Sequence, residues 1–297
     1  MDKYNTRATI QNTTFLETFI STTKDGKKKL SIRFWRWVTT IAVHLLFIVS
    51  YKLDVQMLEG TLSGSRFLGF HMIDPFMTLQ VFAADHYIPI NLIIGTVTIV
   101  VVYFLVGGRA YCSWVCPYNL LGEIGEKINR TLVRKKIIKD RHFNRYSKYV
   151  FFGIFLLLAL YSGYLVFETF NIVGIFSRAL IYGWSLAFLW VIAVFLIEIF
   201  YSQRGWCRYV CPVGTTYSFI GWPSATKIVW DDRCDHCNVC SNVCLVPHVL
   251  EIAKKNYEHN GKSKEFVLSG DCTLCGRCVE VCHTDALNYE TKLKKVL

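Results

Sequence analysis

The chain has 297 residues, of which 53% are hydrophobic and 19% charged, with a mean hydropathy of +0.32. This is too apolar for an ordinary soluble globule, which needs a polar surface, and it points to a membrane protein. The formal net charge of +11 raises the question of nucleic acid, but the Lys and Arg residues lie beside the apolar runs, so no nucleic-acid partner is expected.

Residues 1–33 are polar, rich in Thr and Asn, and end in the basic cluster Lys27, Lys28, Lys29 and Arg33; they read as a cytoplasmic N-terminal tail. The apolar run that follows, 34–53, has no small-residue cleavage site and is long enough for an uncleaved first transmembrane helix rather than a signal peptide. Three more runs, at 88–106, 149–170 and 180–201, are of similar length, and about 20 helical residues at 1.5 Å each cross roughly 30 Å of hydrocarbon. Residues 67–84 are semi-apolar but interrupted by His71, Asp74 and Pro75, which suits a segment lying in the interface or re-entering it. Residues 34–212 are therefore expected to form a four-helix membrane domain with an inner loop at 107–148.

That loop carries ten Lys and Arg residues, whereas 54–87 holds Arg66 among four acids and the third connection contributes Arg178. Basic loops stay inside, so both termini are expected in the cytoplasm of a bacterial inner membrane. An internal repeat also emerges. Each half reads as two helices followed by Arg-x-aromatic-Cys-x3-Cys-Pro, first with Cys112 and Cys116, then with Cys207 and Cys211. Both halves have the same topology, which makes this a parallel repeat. After a linker at 213–229 with Gly214, Gly221 and Pro223, residues 230–297 form a small polar tail with too few apolar residues for a large core, a size that usually needs metal or disulfides. The fold class expected is a membrane all-α domain of two repeated helix pairs, followed by an α+β ferredoxin-like domain.

All twelve cysteines fall in regular spacings. Cys234-x2-Cys237-x2-Cys240-x3-Cys244 and Cys272-x2-Cys275-x2-Cys278-x3-Cys282 have the bacterial ferredoxin spacing, in which three thiolates on a tight turn hold one cubane and the fourth serves the other cluster. This predicts two [4Fe–4S] clusters, one on Cys234, Cys237, Cys240 and Cys282, the other on Cys272, Cys275, Cys278 and Cys244. Zinc prefers paired, separated C-x2-C knuckles, and disulfides need an oxidising compartment, so neither explains eight cysteines in two runs of four. His283 stands where Pro often follows the fourth cysteine, Pro247 lies three places beyond Cys244, and the 245–271 linker is long, with helical tendency over 251–259 before Gly261. That linker is open to two readings, a docking surface or a solvated insertion.

The two C-x3-C-Pro motifs are less specific. Four cysteines, Cys112, Cys116, Cys207 and Cys211, match the number that a third metal site needs, and Arg109 and Arg204 beside them would favour thiolates; a structural or thiol-redox role is the alternative. Ionisable residues near the membrane suggest a further site. His44 falls within the first span, Glu168 and Glu198 near helix ends, and His71, Asp74 and Asp85 in the outer segment. Quinol oxidation releases two protons, and His44, His71, Asp74 and Asp85 are candidate acceptors; solvated or capping roles are the alternative.

Taken together, the four spans, the two C-x3-C-Pro motifs and the paired ferredoxin motifs resemble the NapH-type membrane quinol dehydrogenase subunits of periplasmic nitrate reductase systems. The likeness extends to Ser63-Gly-Ser-Arg66, Asp74-Pro-Phe76 and the run from Ser269 to Cys278. Related polyferredoxins of nitrous oxide reduction and methylamine oxidation share most of these parts. The resemblance implies oxidation of menaquinol or ubiquinol from the quinone pool, and transfer of electrons through a NapG-type iron–sulfur protein and a periplasmic cytochrome toward nitrate reductase. It also poses a routing problem, because the tail clusters are expected inside and the acceptor outside. Two other roles compete: a membrane polyferredoxin that reduces a thiol or metal during maturation of a copper or haem oxidase or of nitrous oxide reductase, although that family usually adds an extracytoplasmic domain, and a non-catalytic anchor for partner subunits.

Overall fold

A computed structural model of the chain describes residues 19–22, 28–53, 58–67, 69–139, 141, 143–255, 257 and 263–292. Most of the expected N-terminal tail (1–18 and 23–27) and part of the stretch 251–259 expected to be helical (256, 258 and 259) lie outside the described residues. Those described fall into two compact units, one drawing on residues 1–39, 103–115 and 218–297, the other on 40–102 and 116–217.

Helix α1, Ile32–Lys52, has 21 residues and is the one described helix both long and apolar enough to cross a bilayer. The other apolar runs are shorter helices: α3, Ile90–Val106; α6, Ser147–Ser162; α8, Ile172–Tyr182; and α9, Phe188–Phe200. The run 149–170 is thus not a single helix, since Gly163 ends α6 in the left-handed region at φ 66° and the short α7, Val166–Phe170, follows. The run 180–201 is likewise broken, at Gly183 with φ 106°. Both breaks use a residue without a Cβ to stop a helix that hydropathy alone would continue.

The second unit is also not purely helical, contrary to the all-α expectation. Strands β3 (Leu58–Thr61), β4 (Gly64–Phe67) and β5 (Phe70–Ile73) form an antiparallel meander, after the hairpin of β1 (Ile20–Thr22) and β2 (Lys28–Leu30) in the first unit. Short four-residue strands with mixed polarity carry little periodic signal. Helix α2, Pro75–Asp85, begins at a proline with Asp74 as its cap, the Phe76 N–H donating to Asp74 Oδ1 at 3.1 Å. It packs against α6, with Phe76 beside Phe152 and Phe167. Helix α5, Tyr118–Arg134, packs on α9.

The first unit contains α4 (Ala110–Trp114) and a three-stranded antiparallel sheet in which β6, Thr226–Asp231, lies between β7 (Lys264–Phe266) and β8 (Leu287–Thr291). The sheet thus begins inside the stretch assigned to a linker by composition. Its core comprises Ile228, Trp230, Leu250, Leu274 and Leu287 with the buried cysteines, and Ala110 joins it from α4. Gly107, at φ 116°, turns the chain between α3 and α4 where a Cβ would collide with Leu274 Cδ1 and crowd the Thr226 carbonyl. Gly107→Ala is expected to lower stability by about 1–3 kcal/mol through overpacking, read as a reduced thermal midpoint; an unchanged midpoint would show that this close approach does not matter.

Candidate metal centres

Each ferredoxin-type motif wraps its cysteines with the same backbone device. In the first, His236 and Asn238 have φ of 56° and 60°; in the second, Leu274 and Gly276 have 49° and 74°. The left-handed residues thus occupy equivalent positions on either side of the middle cysteine, so successive thiols turn toward one point. L-residues other than Gly adopt that conformation at a cost, and its recurrence indicates a loop shaped around something. A short helix follows each loop, α11 (Val239–Val243) and α12 (Arg277–Glu280), and the two pack together. Cys244 comes after α11 rather than opening a helix; the next helical turn, a 3-10 segment, is Pro247–Ala253.

The thiols fall into two groups drawn from both motifs. The electrostatic neighbours of Cys240 are Cys234, Cys237 and Cys282. Those of Cys278 are Cys275, Cys244 and Cys272, with Cys240 the weakest. Burial, then repulsion from neighbouring thiolates, pushes the Cys240 thiol up to about 12 and Cys278 well above its ordinary value. Thiols so placed are held as thiolates only by a cation among them. A cavity lined by Cys244, Cys272, Cys275 and Cys278, with Ile228 and Leu250, lies where the second group converges. Backbone N–H groups point at the sulfurs: His236 donates to Cys234 at 3.4 Å, Val246 to Cys244 at 3.4 Å and Ala286 to Cys282 at 3.3 Å. Such donors stabilise metal-bound thiolate. The residues present therefore fit iron–sulfur clusters.

Beside the second group, Asp271 collects Arg109 at 3.2 Å, Ser218 at 2.7 Å and His248 at 3.0 Å. Arg109 is therefore engaged at this motif, acting on Cys272, and not solely at its own C-x3-C-Pro pair. Helix α4 is fastened to the same loop: Ser113 Oγ donates to the Thr273 carbonyl at 2.6 Å and Trp114 Nε1 to the Leu274 carbonyl at 3.1 Å. Arg36 Nε in turn donates to the Ser113 carbonyl at 3.1 Å, and the Tyr289 hydroxyl to Leu274 at 3.0 Å. On β6, Lys227 donates to the Gly221 carbonyl at 2.5 Å; burial pulls its ammonium down to about 8, so it keeps its charge at neutral pH.

In the second unit, Cys116, Cys207 and Cys211 are electrostatic neighbours, with Glu198 and Arg204 beside Cys207. Cys112 lies on α4 of the first unit. Cys207 sits in a π-helical turn, Trp206–Val210, and Cys211 immediately precedes α10, Pro212–Gly221. The Gly214 N–H donates to Cys211 Sγ at 3.4 Å. Arg204, strained at φ 52°, pairs with Glu126 and Asn119, both at 2.8 Å.

The four candidate proton acceptors are spread out. Asp74 and Asp85 lie at opposite ends of α2, an 11-residue helix, about 16 Å long. Asp85 is exposed; His71 lies on β5, opposite Arg66. His44 is buried on α1 with Nδ1 against the Thr40 carbonyl at 2.8 Å. Asp74, outside the apolar helices, is buried, and burial pushes its carboxyl up to about 7. Glu168 accepts from Ser63 at 3.1 Å and from Asn171 at 3.2 Å, and Glu198 accepts the Trp206 N–H at 3.0 Å. Sequence reasoning missed Gln80, fully buried with neither end of its amide bonded among the described residues; a lone amide within an apolar run was the available signal. It also missed Lys227, Asp271 and the α4 bonds, for which the linear sequence offers none.

Comparison with known proteins adds to this geometry. A family model described as a 4Fe-4S binding domain matches residues 88–139 and again 182–230, once around each C-x3-C-Pro motif, and one described as a 4Fe-4S dicluster domain matches 233–286. The chain is 32% identical over 263 residues to the ferredoxin-type protein NapH of Haemophilus influenzae, covering 87% of this chain and 89% of the relative. For NapH of Escherichia coli the identity is 32% over 279 residues, covering 90% and 95%. The methylamine utilization ferredoxin-type protein MauN of Methylorubrum extorquens is 32% identical over 251 residues, covering 83% and 84%. No solved structure matches.

Proposed function

The chain belongs to the NapH-type family of ferredoxin-type 4Fe–4S electron-transfer proteins, and from that premise we propose that it is an integral membrane subunit that oxidises quinol. The observation that carries this reading is the pair of thiol groups, each drawing cysteines from both motifs, in a chain that also has helices with exposed apolar side chains. Ile93, Val97 and Val101 on α3, and Leu189, Leu196 and Phe200 on α9, are exposed. A soluble protein rarely exposes such stripes, and lipid is the solvent that suits them. With α1 they support a multi-pass membrane location, and the ten Lys and Arg residues of 107–148 support an inner-membrane orientation with both termini cytoplasmic.

Clusters bound at the two sites would supply one-electron storage. The protein's own groups hold and orient them: Cys234, Cys237, Cys240 and Cys282 for the first, and Cys272, Cys275, Cys278 and Cys244 for the second. Asp74 is the best placed of the four candidates to take a proton as quinol loses two electrons and two protons, because its carboxyl titrates near neutrality. His44, His71 and Asp85 are assigned lesser parts in that proton release. The α4 bonds to the Thr273 and Leu274 carbonyls support electronic contact between the second site and the helix bearing Cys112. A third metal site on Cys112, Cys116, Cys207 and Cys211 would carry electrons onward, which bears on how they return across the membrane. The repeated match to a 4Fe-4S binding domain around those cysteines supports it. The acceptors are a NapG-type iron–sulfur protein and a periplasmic cytochrome on the way to nitrate reductase. Identity to NapH and MauN is the same, but the chain covers more of the NapH relative, which favours the nitrate route.

The test is anaerobic addition of menaquinol to the purified, detergent-solubilised chain. Visible cluster absorbance is expected to bleach; absorbance indifferent to quinol would leave only an anchor or maturation role. Total iron in the same sample is expected at about twelve atoms per chain with a third cubane, against about eight without one.

A further inference from the structure

We propose that Lys227 is the counter-charge of the cluster held by Cys244, Cys272, Cys275 and Cys278, and that it poises this cluster at a higher reduction potential than its neighbour. The proposal rests on the electron-carrier reading above. Lys227 is 2% exposed, on the central strand of the sheet, and its ammonium reaches Gly221, whose Cα lies so close to Gly270, two positions before Cys272, that a Cβ there would meet the Gly270 carbonyl. Its bonding partner is the Gly221 carbonyl. Among the described residues no carboxylate pairs with it, and its charged neighbours are Lys292, of like sign, and the Cys272 thiol. A buried ammonium facing another ammonium is costly unless an anion answers it. The thiolates of the second site are the anion this geometry offers.

A one-electron reduction adds one negative charge to a cluster and takes up no proton here. A buried cation stabilises the more negative state, and the low dielectric around it makes that effect larger than at a surface. Arg109 adds little, because Asp271 neutralises it at 3.2 Å.

The first site has the opposite surroundings. Asp235 accepts the Cys237 N–H at 3.3 Å, and its carboxylate, the Cys237 sulfur and a His283 ring nitrogen lie within 4.8 Å of one another. A carboxylate opposes reduction, but this side chain is 45% exposed and its field is screened by solvent. The splitting therefore comes mainly from Lys227. It makes the second cluster, whose loop is bonded to α4, the first to be reduced by a mild donor such as quinol.

The experiment is a redox titration of the full chain, loaded anaerobically and followed by electron paramagnetic resonance. Two midpoints are expected, and Cys275→Ala must abolish the upper one. Lys227→Gln should weaken reduction at the upper midpoint about tenfold, a downward shift of about 59 mV for one electron, and leave the lower midpoint in place. Lys227→Arg should restore it, and Asp235→Asn should raise the lower midpoint by a smaller amount. Midpoints indifferent to Lys227→Gln, or a shift confined to the lower one, overturn the proposal. If Lys227→Gln loses the iron of that site while Lys227→Arg retains it, the counter-charge role stands; if both lose it, the role falls. Two ordinary midpoints that ignore Lys227 sink this inference alone, whereas a chain with no cluster signal sinks the carrier reading as well.

Discussion

Cys244→Ala is expected to remove the cluster of the second motif, although Cys244 belongs to the first. Its electrostatic neighbours are led by Cys275 and include Cys272, and it lines the same cavity as Cys272, Cys275 and Cys278. The variant should lose about four iron atoms and one set of paramagnetic signals. The decisive comparison is among four variants. Crossed ligation requires Cys244→Ala and Cys275→Ala to erase one signal, and Cys282→Ala and Cys237→Ala to erase the other. If Cys244→Ala and Cys237→Ala erase the same signal instead, each motif serves its own cluster and the assignment is wrong.

The largest stability loss from a residue that is not a cysteine is expected for Arg204→Leu. The guanidinium of Arg204 and the carboxylate of Glu126 are each 5% exposed and 2.8 Å apart, and Asn119 accepts from the same side chain. Burying such a pair gains little over an apolar replacement of both partners, but removing one strands the other; the typical cost is about 3–5 kcal/mol. Arg130, itself partly exposed, still pairs with Glu126 at 2.6 Å, which places the expected loss toward the lower end of that range. Thermal unfolding in detergent should show a clear drop in midpoint, while breaking the exposed Lys254–Glu251 pair should leave it nearly unchanged. An Arg204→Leu midpoint equal to that of the parent chain would mean the ion pair is not buried as described.

Local chemistry was legible in the linear chain, because three cysteines within seven residues form a metal-binding turn whatever surrounds them; the recurring left-handed positions at His236, Asn238, Leu274 and Gly276 are how that turn is made. Apolar composition marked the helices, but their ends depended on single residues such as Gly163 and Gly183. The strands over 58–73 escaped notice because four-residue segments have no periodicity to average.

What the amino-acid order determined unaided was the presence of two ferredoxin-type cysteine runs, a repeated C-x3-C-Pro motif and apolar helices, all features of short stretches whose meaning does not depend on distant neighbours. Tertiary structure alone decided the rest: that Ser113 and Trp114 bond to carbonyls 160 positions away, that Arg109 is held by Asp271, and that Lys227 is buried near Cys272 with no carboxylate paired to it among the described residues. Charge and hydrogen bonding act through space over a few ångströms, and which groups come that close is fixed only when the chain has packed.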